Sequence, residues 1–366
     1  MKIFYDGYIY RVQRAGGINR YLANLIDGLP PDWTPVLTVR DTRQFTFLNH
    51  PQLALKSFPA PNLCPGRLVE WGARCYFARI ESQRGWDLIH SVFHFSSKGN
   101  HPAKRRAPFL LTIHDMIPEI FREDVDPQGV EAGIKRKAVE TADAVICVSE
   151  NTRKDFLERH RFPEDRVFVT ALASELSREM ALGDEPVPER PYFLFVGSRA
   201  IYKNFVRFTL AFARVAEIWP DVELCVIGSQ FDATERGLLD GLEIRGRVRN
   251  FGHLPDTHLA KLYRCSAALV YPSLYEGFGI PPLEAMSCGT VVITAAVSSL
   301  PEVVGDAAIS IDPRSVDSIA SAMLKVRDLG NSEREELIAK GMARSARFNW
   351  NETVRRTIEV YRIVAG

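Results

Sequence analysis

Residues 271–289 read YPSLYEGFGIPPLEAMSCG, which sets Glu276 and Glu284 eight positions apart across a glycine-containing turn that leads toward a short helix. The stretch before it, CSAALVY from Cys265 to Tyr271, and the stretch after it, TVVITAA, are apolar runs of the length and character of buried strands. The segment between them is a strand, a loop and a helix leading to the next strand, and such loops lie where open α/β sheets bind ligands. Pro281 and Pro282 suit a helix start, because a fixed φ and a missing N–H cost nothing in the first turn, and Gly289 supplies a stop. A helix from about Pro282 to Cys288 directs its unpaired amides, with about half a positive charge, at Gly277-Phe278-Gly279. Gly277 and Gly279 let a ligand approach the main chain, and Glu276 and Glu284 offer acceptors for vicinal hydroxyls. A sugar joined to a phosphate is the ligand this chemistry fits, although Glu284 taken alone equally suits a helix dipole.

Working outward, the 366-residue length fits two domains of ordinary size. A hydrophobic content of 46% with 25% charged residues is that of a soluble globular protein. The 46 basic residues nearly balance 45 acidic ones, so no global charge draws the chain to nucleic acid or to an anionic membrane. Cys64, Cys75, Cys147, Cys225, Cys265 and Cys288 form no CxxC pair and no zinc-like spacing, so reduced, mostly buried thiols are expected. The start, MKIFYDGYIY, is interrupted by Asp6 and Gly7 and reads as a first strand, not a signal peptide. With no membrane-length apolar window, a cytoplasmic location is expected, peripheral contact with the inner face of the plasma membrane remaining open.

The first half alternates strand-like and helix-like segments: KIFYDG, GGINRYLANLIDGL, TPVLTV, DLIHSV, APFLLTIHD and ADAVICVSE, then the helical SENTRKDFLERH and the strand-like RVFVTALA. EMALGDEPVPERP, residues 179–191, is rich in proline and charge and reads as a linker. The rhythm then restarts with YFLFVGS, KNFVRFTLAFARVAEIWP, ELCVIGS, GRVRNFGHL and the opening motif, and a helical stretch runs from about Val316 through Arg347. The tail NWNETVRRTIEVYRIVAG carries Val354, Ile358, Tyr361 and Val364 at helical spacing. The expected class is α/β with two Rossmann-like domains: 1–178, the linker 179–191, and 192–347, followed by a C-terminal helix over 348–366.

Several further groups fit phosphate or sugar chemistry. Gly16-Gly17 stands between a strand and a helix, where amides can meet a phosphate, although for the pair on its own an ordinary turn is the better reading. His114 and Asp115 end the apolar strand FLLTI. Arg199 and Lys203, in GSRAIYKNF beyond a buried strand, combine a phosphate-forking guanidinium with a compact ammonium. Ser149 and Asn151 read as a helix cap. Asp124-Val125-Asp126 is a DxD pair of the kind that holds a divalent ion against a diphosphate, but its loop-like surroundings favour a solvated segment. Arg67 to Arg84 mixes Leu68, Trp71, Tyr76, Phe77 and Ile80 with Arg74 and Arg79, as a membrane-surface helix or a domain-packing one does, and Lys104-Arg105-Arg106 adds local charge.

EGFGIPPLE resembles the paired-glutamate motif of retaining GT4 glycosyltransferases of GT-B fold, and GGINRY, HDMIPE, GSRAIYKN and FGHL resemble further segments of that family. The resemblance covers both halves and departs after RVFV, where many relatives have an asparagine-glycine turn and this chain has TALASE. It implies two Rossmann-like domains facing across an interdomain cleft, with the last helix crossing back to the first domain. It implies that Gly16, Gly17 and, less directly, Arg20 reach the donor diphosphate, and that His114 lies beside the transferred sugar. Arg199 and Lys203 then neutralise the leaving nucleoside diphosphate, Glu276 binds hydroxyls of the sugar, and Glu284 binds the ribose. Gly277, Phe278, Gly279, Ile280 and the Leu283 amide line the donor, while Gly252, His253 and Leu254 meet the nucleobase. No metal and no cofactor are implied, the nucleotide-sugar being a substrate. HDMIPEIFRE is similar to bacterial surface-polysaccharide mannosyltransferases, which makes GDP-mannose the first expectation, a UDP-sugar an alternative, and a glycan or lipid-linked saccharide the acceptor. A nucleotide-sugar epimerase of the same fold and a noncatalytic sugar-nucleotide-binding partner are the competing readings.

Overall fold

The computed structural model describes residues 1–12, 16–39, 48–58, 66–93 and 106–366; Cys64, Lys104 and Arg105 lie outside them, as do the side chains of Arg67 and Leu68. The chain divides into two compact units, Met1–Leu172 with Trp350–Gly366, and Ala173–Asn349.

Unit 1 is built on seven parallel strands, β1 (Lys2–Tyr5), β2 (Thr34–Val39), β3 (Ala54–Ser57), β4 (Leu88–Ser91), β5 (Phe109–Ile113), β6 (Ala144–Cys147) and β7 (Val167–Val169). They lie in the order β3-β2-β1-β4-β5-β6-β7. The central β4, β5 and β6 are buried along their whole length, which is why they lack an apolar/polar alternation, and His90, Ser91 and Thr112 are the polar side chains buried in them. The edge strand β3 carries the exposed Lys56 and no buried residue, so it lacks the signature that marks its neighbours.

Unit 2 has six parallel strands, β8 (Tyr192–Val196), β9 (Glu223–Ile227), β10 (Val248–Gly252), β11 (Ala268–Tyr271), β12 (Val292–Ala295) and β13 (Ile309–Ile311). Their order is β10-β9-β8-β11-β12-β13. Both sheets are thus doubly wound, with strand order reversing between β1 and β4 in one and between β8 and β11 in the other. At such a point successive connections leave on opposite faces and open a crevice at the carboxyl ends of the strands. The helix Phe205–Ile218 covers unit 2 with Phe205, Phe208, Phe212 and Val215, an i, i+3, i+7, i+10 stripe in which each large side chain contributes about 2 kcal/mol of burial.

The expected helical stretch from Val316 to Arg347 is two helices, Val316–Asp328 and Asn331–Ser345, because Leu329 takes an extended conformation and Gly330 begins a new cap. Residues 179–191 contain a short 3-10 turn, Met180–Leu182, and are tied into unit 2 where Lys261 donates to the Gly183 carbonyl at 2.7 Å and His258 Nε2 meets the Pro186 carbonyl at 2.8 Å. Burial separates Phe77 and Ile80, which pack inside unit 1 from the helix Gly66–Glu81, from Trp71, which is 68% exposed. Among the described residues no helix is long and apolar enough to cross a membrane. Of the five described cysteines, all free, Cys147, Cys225 and Cys288 are buried and Cys75 and Cys265 exposed, so the expectation of buried thiols holds for three.

The helix Trp350–Ala365 belongs to unit 1 and buries Thr353, Val354, Thr357, Val360, Tyr361 and Val364, with Ile358 only half-buried. Thr353 donates to the Ala171 carbonyl at 2.7 Å. Val354 packs so closely on Gly28 that a Cβ there would lie 2.9 Å from its methyl. Tyr361 enters a buried polar chain: its hydroxyl is 3.0 Å from that of Tyr5 and 2.6 Å from His90 Nδ1, and His90 Nε2 is 2.8 Å from Thr112 Oγ1. Neutral imidazole has one donor and one acceptor, and both neighbours are hydroxyls able to take either role, so the chain is satisfied without a charge.

Burial, with a smaller contribution from His114, pushes His90 from 6.5 down to about 3. Between those values the unfolded chain binds a proton that the folded chain refuses, so this group's stabilisation is complete above pH 6.5 and is lost as pH falls toward 3. Denaturant titrations of unit 1 fluorescence across that window are expected to show stability falling by up to about 1.4 kcal/mol per pH unit from this residue, with a shallower slope in His90→Gln.

Candidate functional site

At the switch point of unit 2, β8 runs into Gly197 and the turn Ile201–Lys203, and Asn204 follows in the left-handed region at φ 63°. Asn204 is 4% exposed, and its amide donates to the Pro272 carbonyl at 3.0 Å and to the Pro313 carbonyl at 2.6 Å. It thereby ties the segment after β8 to the loops after β11 and β13. The Leu274 amide adds a bond to the Tyr202 carbonyl at 2.7 Å. Lys203 is thus brought beside the loop after β11, where its ammonium donates to Glu276 Oε1 at 2.7 Å, Glu276 Oε2 at 3.0 Å and the Tyr271 hydroxyl at 2.8 Å. Both ends are largely out of water, the side chains being 14% and 9% exposed. Burial, reinforced by the Glu276 charge, holds the Tyr271 phenol well above its ordinary range, so it stays neutral and able to hydrogen-bond.

The Glu276 backbone is held from the other side. Its amide donates to Ser298 Oγ at 2.9 Å, and Ser299 Oγ lies 2.9 Å from the Glu276 carbonyl and 2.7 Å from that of Phe278. Phe278 is buried edge-on against Phe348 at 5.7 Å. Gly279 caps the helix Ile280–Ser287 at φ 118°, where a Cβ would also stand 2.9 Å from Leu300. The helix starts two residues before the expected position. Pro281 and Pro282 therefore occupy helical positions without N–H groups, and the Leu283 amide faces the Gly279 carbonyl at 3.4 Å. The dipole remains, but the amides at this end are fewer than a proline-free first turn provides. Glu284, on the buried side, accepts from the Tyr263 hydroxyl at 3.0 Å.

The sequence places Arg199 with Lys203 as a phosphate pair, and the structure gives the two cations different partners. Arg199 Nε donates to Glu235 Oε1, and Nη2 donates to Glu235 Oε2 at 3.0 Å and to the Gln230 carbonyl at 2.9 Å. The guanidinium sits 4.9 Å from the Phe231 ring centre and is 5% exposed. Nearby, β8, β9 and β10 each end at a glycine with positive φ, Gly197, Gly228 and Gly252. Gly197 N donates to the Ile227 carbonyl, Gly228 N to the Gly252 carbonyl, and a Cβ on Gly228 would lie 2.5 Å from the Gly197 carbonyl oxygen. His253 is exposed and Leu254 half-buried just beyond this edge.

In unit 1 the groups of interest also follow the carboxyl ends of strands. Gly16 caps the helix Gly17–Asp27 in extended backbone. His114, after β5, has Nε2 2.9 Å from the Val92 carbonyl and its ring edge-on to Tyr21 at 5.4 Å. Lys135, 2% exposed, braces this turn by donating to the Asp115 carbonyl at 3.0 Å and to Glu119 at 2.8 Å. Asp126 accepts from the Val130 and Ala132 amides at 2.8 Å each, and these bonds hold its carboxyl below the usual range. Its expected loop is a helix-capping turn, with Asp124 exposed on the short helix Arg122–Val125. Ser149 caps the helix Glu150–Arg159 by accepting from Thr152 N, as the sequence indicates.

Sequence reading missed Tyr271, Tyr263, Lys135 and Glu235 as partners of the groups it named. Glu235 alone carried a local signal, the capping box that starts at Asp232.

Comparison with known proteins matches residues 15–172 to the model for Glycosyltransferase Family 4 and residues 183–344 to that for Glycosyl transferases group 1. The O-antigen chain mannosyltransferase B of Escherichia coli is 33% identical over 272 residues, covering 70% of each chain. A serotype-specific mannosyltransferase WbdA of Escherichia coli is 30% identical over 68% of this chain and 33% of its own length. Among solved structures, sucrose-phosphate synthase from Thermosynechococcus elongatus superposes with a TM-score of 0.80 at 21% identity, covering 99% of this chain and 98% of that one. Anabaena HepE in complex with UDP and glucose superposes at 0.75 with 17% identity, covering 99% and 100%.

The glycine junction is open to a direct check. Gly228→Ala forces a side chain into both a φ of 148° and the Gly197 carbonyl, and is expected to destabilise unit 2 by about 2 kcal/mol or more, read as a lowered melting temperature.

Proposed function

The chain belongs to the GT4 family of GT-B glycosyltransferases, and from that premise we propose that it transfers mannose, with retention, from GDP-mannose to a growing surface glycan or its lipid-linked precursor. The observation that carries this reading is the buried Lys203–Glu276 pair at the switch point of unit 2. An ammonium at a strand's carboxyl end, facing a glycine-bordered loop, is suited to the charge that develops on a departing nucleoside diphosphate. Glu276 accepts hydrogen bonds from hydroxyls of the transferred sugar, and Glu284 from those of the ribose. Neither is required as a covalent nucleophile. Transfer on one face passes through an oxocarbenium-like state, with the donor phosphate assisting deprotonation of the acceptor. The family resemblance assigns His114, whose Nε2 lies 2.9 Å from the Val92 carbonyl, to the sugar and the Gly16-Gly17 amides to the diphosphate. The mannose assignment is supported by the name of the 33%-identical Escherichia coli relative, while UDP in the HepE structure keeps UDP-sugars in the test. The reaction proceeds without a metal, a reading supported by the use of both Asp126 oxygens in capping a helix. The enzyme acts at the cytoplasmic face of the membrane, where a lipid-linked acceptor is presented.

Removing one member of a buried ion pair strands the other, so Lys203→Met and Glu276→Gln are each expected to lower stability, by up to about 3–5 kcal/mol. The double variant is expected to recover much of that loss, because no charge is left unpaired, yet to transfer sugar at least about 100-fold more slowly than wild type. Chemical denaturation and a coupled assay of nucleotide release read the two quantities separately, and full activity in the double variant overturns the assignment.

The same assay, run with GDP-mannose and UDP-sugars on lipid-linked saccharides, is expected to show release that depends on acceptor, is unaffected by a chelator, and yields a product retaining the donor's anomeric configuration. A changed sugar nucleotide formed without acceptor identifies an epimerase, and binding without turnover identifies a noncatalytic partner.

A further inference from the structure

The segment after β9 is held more firmly than its exposure requires. The Ser229 carbonyl accepts from Asn250 Nδ2 at 2.9 Å, and the next carbonyl, Gln230, accepts from Arg199 Nη2 at 2.9 Å. Asn250 Oδ1 in turn accepts from the Gly252 amide at 2.8 Å, across a register shift between β10 and β9 that lies at this point. Two consecutive carbonyls are thus fixed by side chains from two different strand ends. With its main chain so placed, the exposed Gln230 side chain comes to the glycine edge, its Nε2 3.6 Å from the position a Cβ on Gly252 would occupy. Among the described residues, the adjoining ones in the chain aside, that carboxamide alone stands within 4 Å of that position, and none stands within 4 Å of the corresponding position on Gly197.

Glu235 holds this arrangement at its root. Its carboxylate accepts from Arg199 Nε and Nη2, and Oε2 also accepts from the Asp232 amide at 2.9 Å. The guanidinium is packed beside two rings, Phe231, 4.9 Å away, and Phe205, 5.8 Å away. Its remaining nitrogen, Nη1, is buried with no acceptor among the described residues. A guanidinium kept so at the cost of an unsatisfied N–H points to a demand for position.

We propose that Gln230 is the side chain that hydrogen-bonds the nucleobase of the donor, and that Glu235 is a positioning residue which, through Arg199, sets Gln230 against the Gly252 edge. A carboxamide presents a donor and an acceptor side by side, matching the paired polar edge of a base, and the side-chain-free strand ends leave room for the ring. Arg199 on this account acts on the base side through Gln230, and the phosphate charge is met by Lys203. This assignment rests on the donor-binding reading given above and names the base-recognising part of that same site.

The test is a comparison of nucleoside diphosphate and inorganic pyrophosphate binding by titration calorimetry on the full-length protein. Gln230→Ala, an exposed change that leaves the fold intact, is expected to weaken the preferred nucleoside diphosphate about tenfold while pyrophosphate is unaffected. Glu235→Gln keeps the helix cap, since glutamine serves at that position, but removes the charge that clamps Arg199. It is expected to produce the same selective loss, and Glu235→Gln combined with Gln230→Ala to be no weaker than Gln230→Ala alone, the signature of two residues acting through one contact. Equal losses for pyrophosphate, unchanged affinity in Gln230→Ala, or additive losses in the double variant overturn the inference while leaving the function standing. A wild-type protein that binds no nucleoside diphosphate overturns both.

Discussion

A buried ammonium needs a carboxylate, and the pairing of Lys203 with Glu276 is the constraint around which unit 2 is arranged. Two charges this far from water cost several kcal/mol each in desolvation, which close geometry and further hydrogen bonds must offset. The structure supplies both: two short N–H···O contacts to Glu276, a third to the neutral Tyr271 hydroxyl, and the Ser298 hydroxyl on the Glu276 amide. Asn204 makes the pairing possible by joining the loops that carry the two residues. The pair belongs to segments 73 positions apart in the chain, adjacent only because β8 and β11 are neighbours across the switch point.

Unit 1 shows the same economy without a charge. His90, Tyr361, Tyr5 and Thr112 fasten the last helix to the middle of the sheet through hydroxyls and a neutral imidazole. Such a chain is directional where apolar packing is not, so it determines how the helix Trp350–Ala365 is seated as well as that it binds. Chain residues at opposite ends of the sequence are thereby made parts of one core, and His114 is packed against Tyr21 at the border of this assembly.

The glycine-ended strands give unit 2 a sheet edge with two chemically different sides. Toward β11 the edge is charged and bordered by the helix Ile280–Ser287, and toward β10 it is bare backbone beside a carboxamide. Charge suits a phosphate and a flat, polar-edged surface suits a base, so the layout fits the division proposed above between a charged and a planar part of a nucleotide. The 4-residue spacing of Arg199 and Lys203 spans that divide, which is why two neighbouring cations are turned to different partners.

The sequence by itself determined the class of fold and the identity of the most informative loops. Apolar-rich runs such as YFLFV and FLLTI are legible because central parallel strands are buried on both faces, and EGFGIPPLE is legible because glycine and proline have local backbone reasons to stand where they do. Caps such as Ser149 were readable for the same reason, since a cap acts within three residues. Only the tertiary structure decided partnership. That Lys203 meets Glu276 while Arg199 meets Glu235, that Asp126 caps a helix, and that Thr353 and Thr357 share the buried face with Tyr361 all depend on contacts made after the chain has folded. Local preferences extend over a few residues and leave a mark in the sequence, whereas a long-range pairing is set by strand order and loop closure, which no single stretch of residues records.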